Sequence, residues 1–155
     1  MDDIRFRKYT PEDAISFKAL NIEWLEMYFE VEPIDQRVLS NPETEILEPG
    51  GFIIMVEKDN KVIGTFAFIK KDYKLYEFSK MAIDPEYRGR GYGNLMMQFS
   101  INFAEKHHWK KIILYSSTIL KNSIHLYRKY GFIEVPLEEN CSYSRGNIKM
   151  ELDLC

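Results

Sequence analysis

The sequence predicts an α/β domain with a mixed, mostly antiparallel central sheet flanked by helices. Hydrophobic periodicity divides the chain into elements in the order β-α-α-β-β-β-α-β-α-β-β, which is the main support for this fold class. The chain has 155 residues, of which 45% are hydrophobic and 29% are charged, as in an ordinary globular protein. We therefore expect a single domain over residues 1–155.

The first predicted elements are a strand at residues 4–9 and a long helix. The segment Thr10-Pro11-Glu12-Asp13 predicts the start of this helix. Threonine is a good N-cap, proline suits the first helical position, and acids favour the first turn. Three prolines then predict a loop over residues 28–49, with a short helix at residues 35–39 inside it.

The middle of the chain predicts three strands in sequence. Residues 52–56 and 62–69 are β-rich runs, and the polar segment between them, which includes Asp59 and Asn60, predicts a hairpin turn. Residues 73–83 continue this meander. The remaining predicted elements are a helix that ends near His107 and His108, a strand at 111–116, a helix at 121–130, and strands at 132–135 and 147–152.

A glycine-rich turn follows the third of these strands and opens a helix. Asp84-Pro85 ends the strand, because proline cannot donate to a ladder and biases Asp84 away from helix. The next six residues are Arg88-Gly89-Arg90-Gly91-Tyr92-Gly93. Backbone N–H groups without neighbouring Cβ atoms, a helix N-terminus and two arginines together predict a site for phosphate or pyrophosphate.

Composition and charge argue against several other classes of protein. A net charge of −3 disfavours a nucleic-acid partner. The N-terminus has no signal-peptide pattern, and no apolar run is long enough for a membrane span. Two cysteines, Cys141 and Cys155, have neither metal spacing nor a disulfide framework. We expect a cytoplasmic protein that binds no membrane and no metal.

The spacing of the glycines narrows the choice of anion. The loop lacks the Gly-Lys-Ser/Thr ending of a Walker loop and the G-x-G-x-x-G spacing of a Rossmann fingerprint. Arg88, Gly91 and Gly93 fit Arg/Gln-x-x-Gly-x-Gly/Ala instead. This pattern resembles the acetyl-CoA pyrophosphate loop of the GNAT superfamily of N-acetyltransferases.

The same resemblance extends along the chain. The element order is similar, and Leu126-Tyr127 followed by Gly131-Phe132 resembles the superfamily signature Leu-Tyr-x-x-x-Gly-Phe. Glu77 precedes Arg88 at a position where many members carry a catalytic glutamate. The resemblance implies the GNAT-like fold, in which two neighbouring strands splay apart to admit acetyl-CoA.

The resemblance also implies which residues contact the co-substrate. Backbone groups on the strand before the loop would bind the pantetheine arm, and the loop itself would hold the pyrophosphate, chiefly through main-chain N–H groups. These residues are, in order, Met81, Ala82 and Ile83, and then Arg88, Gly89, Arg90, Gly91, Tyr92, Gly93 and Asn94.

Two residues are implied to be catalytic. Tyr127 matches the tyrosine that protonates the departing CoA thiolate; the alternative is an aromatic side chain packed with Ile124 on the sheet. Glu77 would take a proton from the attacking ammonium, directly or through water; the alternative is a solvated glutamate paired with Lys74 or Lys80.

Other polar residues of the chain are not expected to take part in catalysis. The family often places an asparagine seven residues before the tyrosine, where this chain has Leu120, so a CoA contact is not carried over to Asn122. We expect Asn122 to cap its helix together with Ser123. His125 is expected on the surface, and Cys141 in a polar loop without a nucleophilic role.

The implied reaction is transfer of the acetyl group of acetyl-CoA to a primary amine by direct attack in a ternary complex. The acceptor-selecting segments would be residues 28–48 and 137–146, which are rich in acids and therefore favour a cationic amine. A small-molecule acceptor is the first expectation. The alternatives are a protein N-terminus or lysine, and a non-catalytic acyl-CoA-binding sensor or interaction module. Dimers are common in the family, so a homodimer is one expected assembly.

Overall fold

The computed structural model describes residues 4–139 and 145–154. Its strands are β1 (Ile4–Lys8), β2 (Phe52–Lys58), β3 (Lys61–Asp72), β4 (Leu75–Ile83), β5 (Lys111–Ser116), β6 (Ile133–Val135) and β7 (Ile148–Asp153). Its helices are α1 (Ala14–Tyr28), α2 (Pro33–Ser40), α3 (Tyr92–Lys106) and α4 (Lys121–Lys129). This order confirms the predicted one.

The described strands form a seven-stranded mixed sheet in the order β1-β2-β3-β4-β5-β7-β6. The β1–β2, β2–β3, β5–β7 and β6–β7 pairs are antiparallel. The β4–β5 pair is parallel, in register from Leu75 opposite Lys111 to Glu77 opposite Ile113. The predicted fold class is therefore confirmed. That β4 and β5 splay apart beyond Glu77 and Ile113 stays a prediction.

Backbone contacts group the described residues into two compact units. Unit 1 contains residues 4–70 and 78–90, and unit 2 contains residues 71–77, 91–139 and 145–154. A single functional domain over the whole chain stays a prediction. In the described ranges, no helix is long and apolar enough to cross a membrane.

Unit 1 places helices α1 and α2 against β2 and β3. Its core is apolar and fully enclosed, and its most buried members are Phe17, Leu39, Ile46, Ile53, Met55 and Ala67. The predicted turn between β2 and β3 is confirmed: Asp59 and Asn60 have φ angles of 52° and 65°. Two successive positive φ angles give a turn whose twist matches that of the strands, and Asn and Asp tolerate this conformation.

The start of α1 in unit 1 follows the predicted capping chemistry. A 3-10 turn, Pro11–Asp13, precedes the helix, and the Thr10 N–H donates to Oδ2 of Asp13 at 2.8 Å. The Thr10 hydroxyl donates to the same oxygen at 3.3 Å, and Nη1 and Nη2 of Arg7 donate to the Asp13 carboxylate at 2.7 and 2.9 Å. Arg7 Nε also donates to Oε2 of Glu57 at 2.6 Å, which fixes β1 against β2 and the helix start.

The chain between α2 and β2 differs from the predicted loop. Glu43–Leu47 forms a short π-helix whose Ile46 is only 1% exposed. Ile46 belongs to the core of unit 1, and the neighbouring Leu47 packs against that core. Two adjacent apolar residues after a run of polar ones give no helical periodicity, which is why the sequence did not predict a helix there.

Unit 2 contains α3 and α4 with β5, β6 and β7. Its most buried side chains are Met96, Met97, Ala104, Ile112, Leu114 and Met150. As predicted, α3 ends at the histidines: Nδ1 of His107 lies 2.8 Å from the Phe103 carbonyl oxygen. Tyr76 stacks on Trp109 with ring centroids 3.7 Å apart, which joins the start of β4 to the chain that leads into β5.

The ends of α4 confirm one prediction and correct another. Gly131 has a φ of 98° and terminates the helix, as its position before Phe132 predicts. The helix begins at Lys121, as predicted, with Leu120 at the N-cap and no side-chain cap bond. The prediction that Asn122 and Ser123 cap this helix is therefore wrong, because both lie inside its first turn.

Candidate active site

β4 ends at Ile83, and Asp84 opens the short turn that leads to the glycine loop at Arg88. The Asp84 N–H donates to the Ile63 carbonyl oxygen at 2.7 Å, which anchors the end of the strand to β3. Its Oδ1 then accepts from the Glu86 N–H at 3.0 Å and caps the 3-10 turn Pro85–Tyr87. The predicted strand terminator thus also starts the turn that leads into the loop.

Two glycines give the loop its backbone conformation. Gly89 has a φ of 75°, and Gly91, the N-cap of α3, has a φ of 86°. A Cβ atom added at either position would meet no atom within 4 Å. The glycines are therefore needed for their left-handed conformation, and the space beside them is open. Open space next to the first N–H groups of α3 suits an anion such as a phosphate.

The two arginines of the loop have different surroundings. Arg88 lies against α1, where its Nη2 donates to Oε1 of Glu23 at 2.5 Å and its Nη1 lies 3.3 Å from Sδ of Met27. Arg90 is exposed, and its guanidinium lies 5.4 Å from the ring centroid of Tyr87. Both side chains are long and cationic, so both can turn toward an anion at the loop.

Asn94, in the first turn of α3, is bound by the end of α4. Its Oδ1 accepts from Nζ of Lys129 at 2.8 Å and from the Tyr130 hydroxyl at 3.0 Å. Gln98 donates to the same hydroxyl oxygen at 3.1 Å. Sequence reasoning missed Lys129 and Tyr130 here, since nothing in their local pattern shows that the end of α4 meets the start of α3.

The strand residues proposed to contact pantetheine lie in unit 1. Ala82 is 2% exposed, whereas Met81 and Ile83 are half-buried. Lys80 precedes them with a φ of 56°, an unusual value for a residue with a side chain inside a strand. This break in the regular strand directly before Met81 was not predicted, because a single lysine in an apolar strand carries no such signal.

Tyr127 is buried in unit 2, at the end of α4. Its ring centroid lies 6.0 Å from that of Phe132, and its carbonyl oxygen accepts from the N–H groups of Tyr130 and Phe132, each at 3.1 Å. Burial raises the pKa of the Tyr127 phenol to about 12. The hydroxyl is therefore protonated at neutral pH, so it can donate a proton but cannot act as a base.

Glu77 is also buried in unit 2, at the last registered pair of β4 with β5. Its side chain is 7% exposed, and Nζ of Lys71 lies 3.7 Å from its Oε1. The solvated side chain of the alternative is wrong, because Glu77 is enclosed, whereas its pairing with Lys74 or Lys80 stays a prediction. The role of Glu77 as a base stays a prediction.

Several acidic residues of the two segments expected to select the acceptor, residues 28–48 and 137–146, already make contacts within the protein. Asp35 is fully buried and accepts from the Glu32 N–H at 2.9 Å, so it belongs to the start of α2 and to no acidic rim. Glu45 pairs with Arg37 at 3.0 Å. Hydrogen bonds from Lys149 and the Tyr115 hydroxyl hold the pKa of Glu138 below its ordinary value.

Three aromatic residues at and just after the end of α1 form a cluster with each other. Trp24 packs on Tyr28 and Phe29 with centroid distances of 5.3 and 5.8 Å, and Trp24 and Phe29 also pack against the core of unit 1. His125 is exposed, as predicted. Cys141 and the rest of residues 140–144 lie outside the described residues, as does Cys155.

Comparison with known proteins identifies the family. The model of the acetyltransferase (GNAT) family matches residues 17–132, which include the glycine loop and the Tyr127 signature. The chain therefore belongs to the GNAT family of acetyltransferases. No curated protein sequence matches it significantly.

Solved structures agree on the fold. A GNAT-family acetyltransferase from Staphylococcus aureus has a TM-score of 0.86 at 18% identity, covering 98% of this chain and 99% of that one. An acetyltransferase from Streptococcus agalactiae has a TM-score of 0.84 at 19% identity, covering 99% and 100%. The spermidine N-acetyltransferase from Vibrio cholerae, in complex with CoA and spermine, has a TM-score of 0.74 at 21% identity, covering 97% and 95%. Because the sequence identities are only 18–21%, the similarity of these structures shows a shared fold.

Proposed function

We propose that this protein is an acetyl-CoA-dependent N-acetyltransferase that acetylates a primary amine by direct attack in a ternary complex. The proposal rests mainly on the glycine loop at the start of α3. The backbone is left-handed at Gly89 and Gly91, and the space beside both glycines is open. Family membership supports the same reading, because the family match includes this loop.

Binding is assigned to two stretches of the chain. Main-chain N–H groups from Arg88 to Asn94 would hold the pyrophosphate, with the positive end of the α3 dipole adding to their attraction. Backbone groups of Met81, Ala82 and Ile83 would bind the pantetheine arm. Holding the thioester and the amine in one complex supplies much of the rate as effective molarity.

Proton transfers are assigned to two buried side chains. Glu77 would accept a proton from the incoming ammonium, since an amine with a pKa near 10 is largely protonated at neutral pH. Tyr127 would donate a proton to the CoA thiolate as the sulfur leaves. Its pKa, raised to about 12 by burial, keeps the phenol protonated throughout the physiological range but also makes it a weaker acid, so the proposed donation needs the phenolate to be stabilised as the sulfur leaves.

A small-molecule amine is the proposed acceptor, and the cytoplasm is the proposed location. The Vibrio cholerae relative whose structure holds spermine supports a small cationic amine as the first class to test. A protein N-terminus or lysine remains the second class, because the same carbonyl chemistry serves both. A homodimer is the proposed assembly, to be measured by sedimentation equilibrium.

The test is calorimetric titration with acetyl-CoA, followed by a free-thiol assay over polyamines, amino acids, aminoglycosides and peptides. Binding with release of thiol on one amine class would establish the enzyme and identify its acceptor. Binding without release on any amine would favour the alternative of a non-catalytic sensor. A lack of binding would refute the proposal, provided that circular dichroism shows folded protein.

A further inference from the structure

Arg88, the first residue of the glycine loop, is held by an acidic partner on α1. Its Nη2 lies 2.5 Å from Oε1 of Glu23, and the two side chains are 22% and 39% exposed. Its Nη1 lies 3.3 Å from Sδ of Met27, one turn further along the helix. Both terminal nitrogens of the guanidinium are thus directed at α1.

This ion pair has a consequence for any ligand that carries a pyrophosphate. Charge-assisted hydrogen bonds from a guanidinium are strong, and the Nη2 group that donates to Glu23 is a terminal group that a phosphate would also bind. A carboxylate beside the loop also repels a ligand with two or more negative charges. Glu23 therefore opposes the anion in two ways: it occupies the arginine, and it adds a like charge.

We propose that Glu23 competes with the pyrophosphate of acetyl-CoA for Arg88, so that binding of acetyl-CoA breaks the contact between the loop and α1. The inference rests on the proposed function and adds a residue that sets the affinity of the protein for pyrophosphate-bearing ligands. Product CoA carries the same pyrophosphate as acetyl-CoA. Glu23 consequently weakens the binding of product and shortens its residence on the protein.

The sign of the effect distinguishes competition from a structural role. If Glu23 only stabilises the fold or orients Arg88 toward the ligand, its removal leaves the affinity for CoA unchanged or lowers it. If Glu23 competes, its removal raises the affinity. Glu26 provides a matched control, because it lies on the same helix, is exposed and permits the same change of charge.

The experiment is calorimetric titration of Glu23→Gln, Glu26→Gln and the unsubstituted protein with CoA at low ionic strength. We expect Glu23→Gln to bind CoA about 2- to 5-fold more tightly, the range expected for a partly exposed ion pair. Glu26→Gln should bind as the unsubstituted protein does. The gain should shrink in high salt, since screening weakens interactions between partly exposed charges.

Two further measurements make the result specific. In the Arg88→Gln protein there is no guanidinium for Glu23 to hold, so Glu23→Gln should tighten CoA binding less than it does in the unsubstituted protein. The double-mutant cycle of Glu23 and Arg88 measures this coupling. S-acetylpantetheine, which lacks the pyrophosphate, should show no dependence on Glu23. Unchanged or weaker binding of CoA by Glu23→Gln would overturn the inference while leaving the proposed function intact. A lack of CoA binding by the unsubstituted protein would overturn both.

Discussion

The ammonium of Lys80 lies 4.0 Å from Oδ1 of Asp35, and the two side chains are only 7% and 0% exposed. Lys80 also has the left-handed φ of 56° that interrupts β4 before Met81. The pair therefore joins the start of α2 to the strand assigned to the pantetheine arm, and both residues belong to unit 1.

Replacing Asp35 with Ala should destabilise the protein strongly. The change leaves the Lys80 ammonium buried without this carboxylate and removes the acceptor of the Glu32 N–H, and breaking a buried pair costs about 3–5 kcal/mol. Urea unfolding monitored by circular dichroism measures the loss. Asp35→Asn keeps an oxygen for the Glu32 N–H and isolates the effect of charge. A loss below about 1 kcal/mol in Asp35→Ala would contradict this reading of the pair.

Replacing Gly91 with Val should abolish acetyl-CoA binding while the circular dichroism spectrum stays folded. A residue with a Cβ costs about 1–2 kcal/mol in the left-handed conformation, and the valine side chain would fill the open space beside the loop. Gly91→Asn is the control, because asparagine tolerates positive φ far better than valine does. Tight binding of acetyl-CoA by Gly91→Val would refute the assignment of the loop.

Replacing Tyr127 with Phe should lower turnover by up to about 10²-fold with little change in acetyl-CoA affinity, because only the proton donor is lost. Single-turnover kinetics and calorimetry separate the two effects. Phe132→Leu removes the neighbouring ring and should change the free energy of unfolding more than the rate of acetyl transfer. An unchanged rate in Tyr127→Phe would remove the phenol from the mechanism.

Replacing Glu77 with Gln should flatten the acidic limb of the pH–rate profile, because the group that accepts the amine proton is lost. The exposed strand residue Glu134 supplies the control, and Glu134→Gln should leave the profile unchanged. If Glu77→Gln keeps the profile of the unsubstituted protein, base catalysis belongs to water or to another group.

Replacing Arg7 with Gln should reduce the stability of the protein in a pH-dependent way. Hydrogen bonds from Arg7 lower the pKa of Asp13 and, together with Arg5, that of Glu57. Their contribution is therefore full above the unfolded pKa values of about 4 and is lost as the pH falls through the lower folded values. Urea unfolding should show a large deficit at pH 7 that shrinks below pH 4. An equal deficit at both pH values would show that the ion pairs are not its source.

Local patterns in the sequence predicted those features that depend on neighbouring residues. The Asp59–Asn60 turn and the Gly131 helix end follow from backbone preferences of one or two residues. The position of Asp35 could not be predicted, because an acid at a helix start is usually exposed and its burial depends on Lys80, far along the chain. The Arg88–Glu23 pair joins residues 65 positions apart, and only the folded chain brings them together.

The two tryptophans of the chain lie in different units, Trp24 beside Tyr28 and Phe29 in unit 1 and Trp109 stacked on Tyr76 in unit 2. Each unit thus carries its own fluorophore. Trp24→Phe and Trp109→Phe would each leave one emission signal, so that the melting of either unit can be followed alone. Coincident transitions in the two variants would identify the whole chain as one cooperative folding unit.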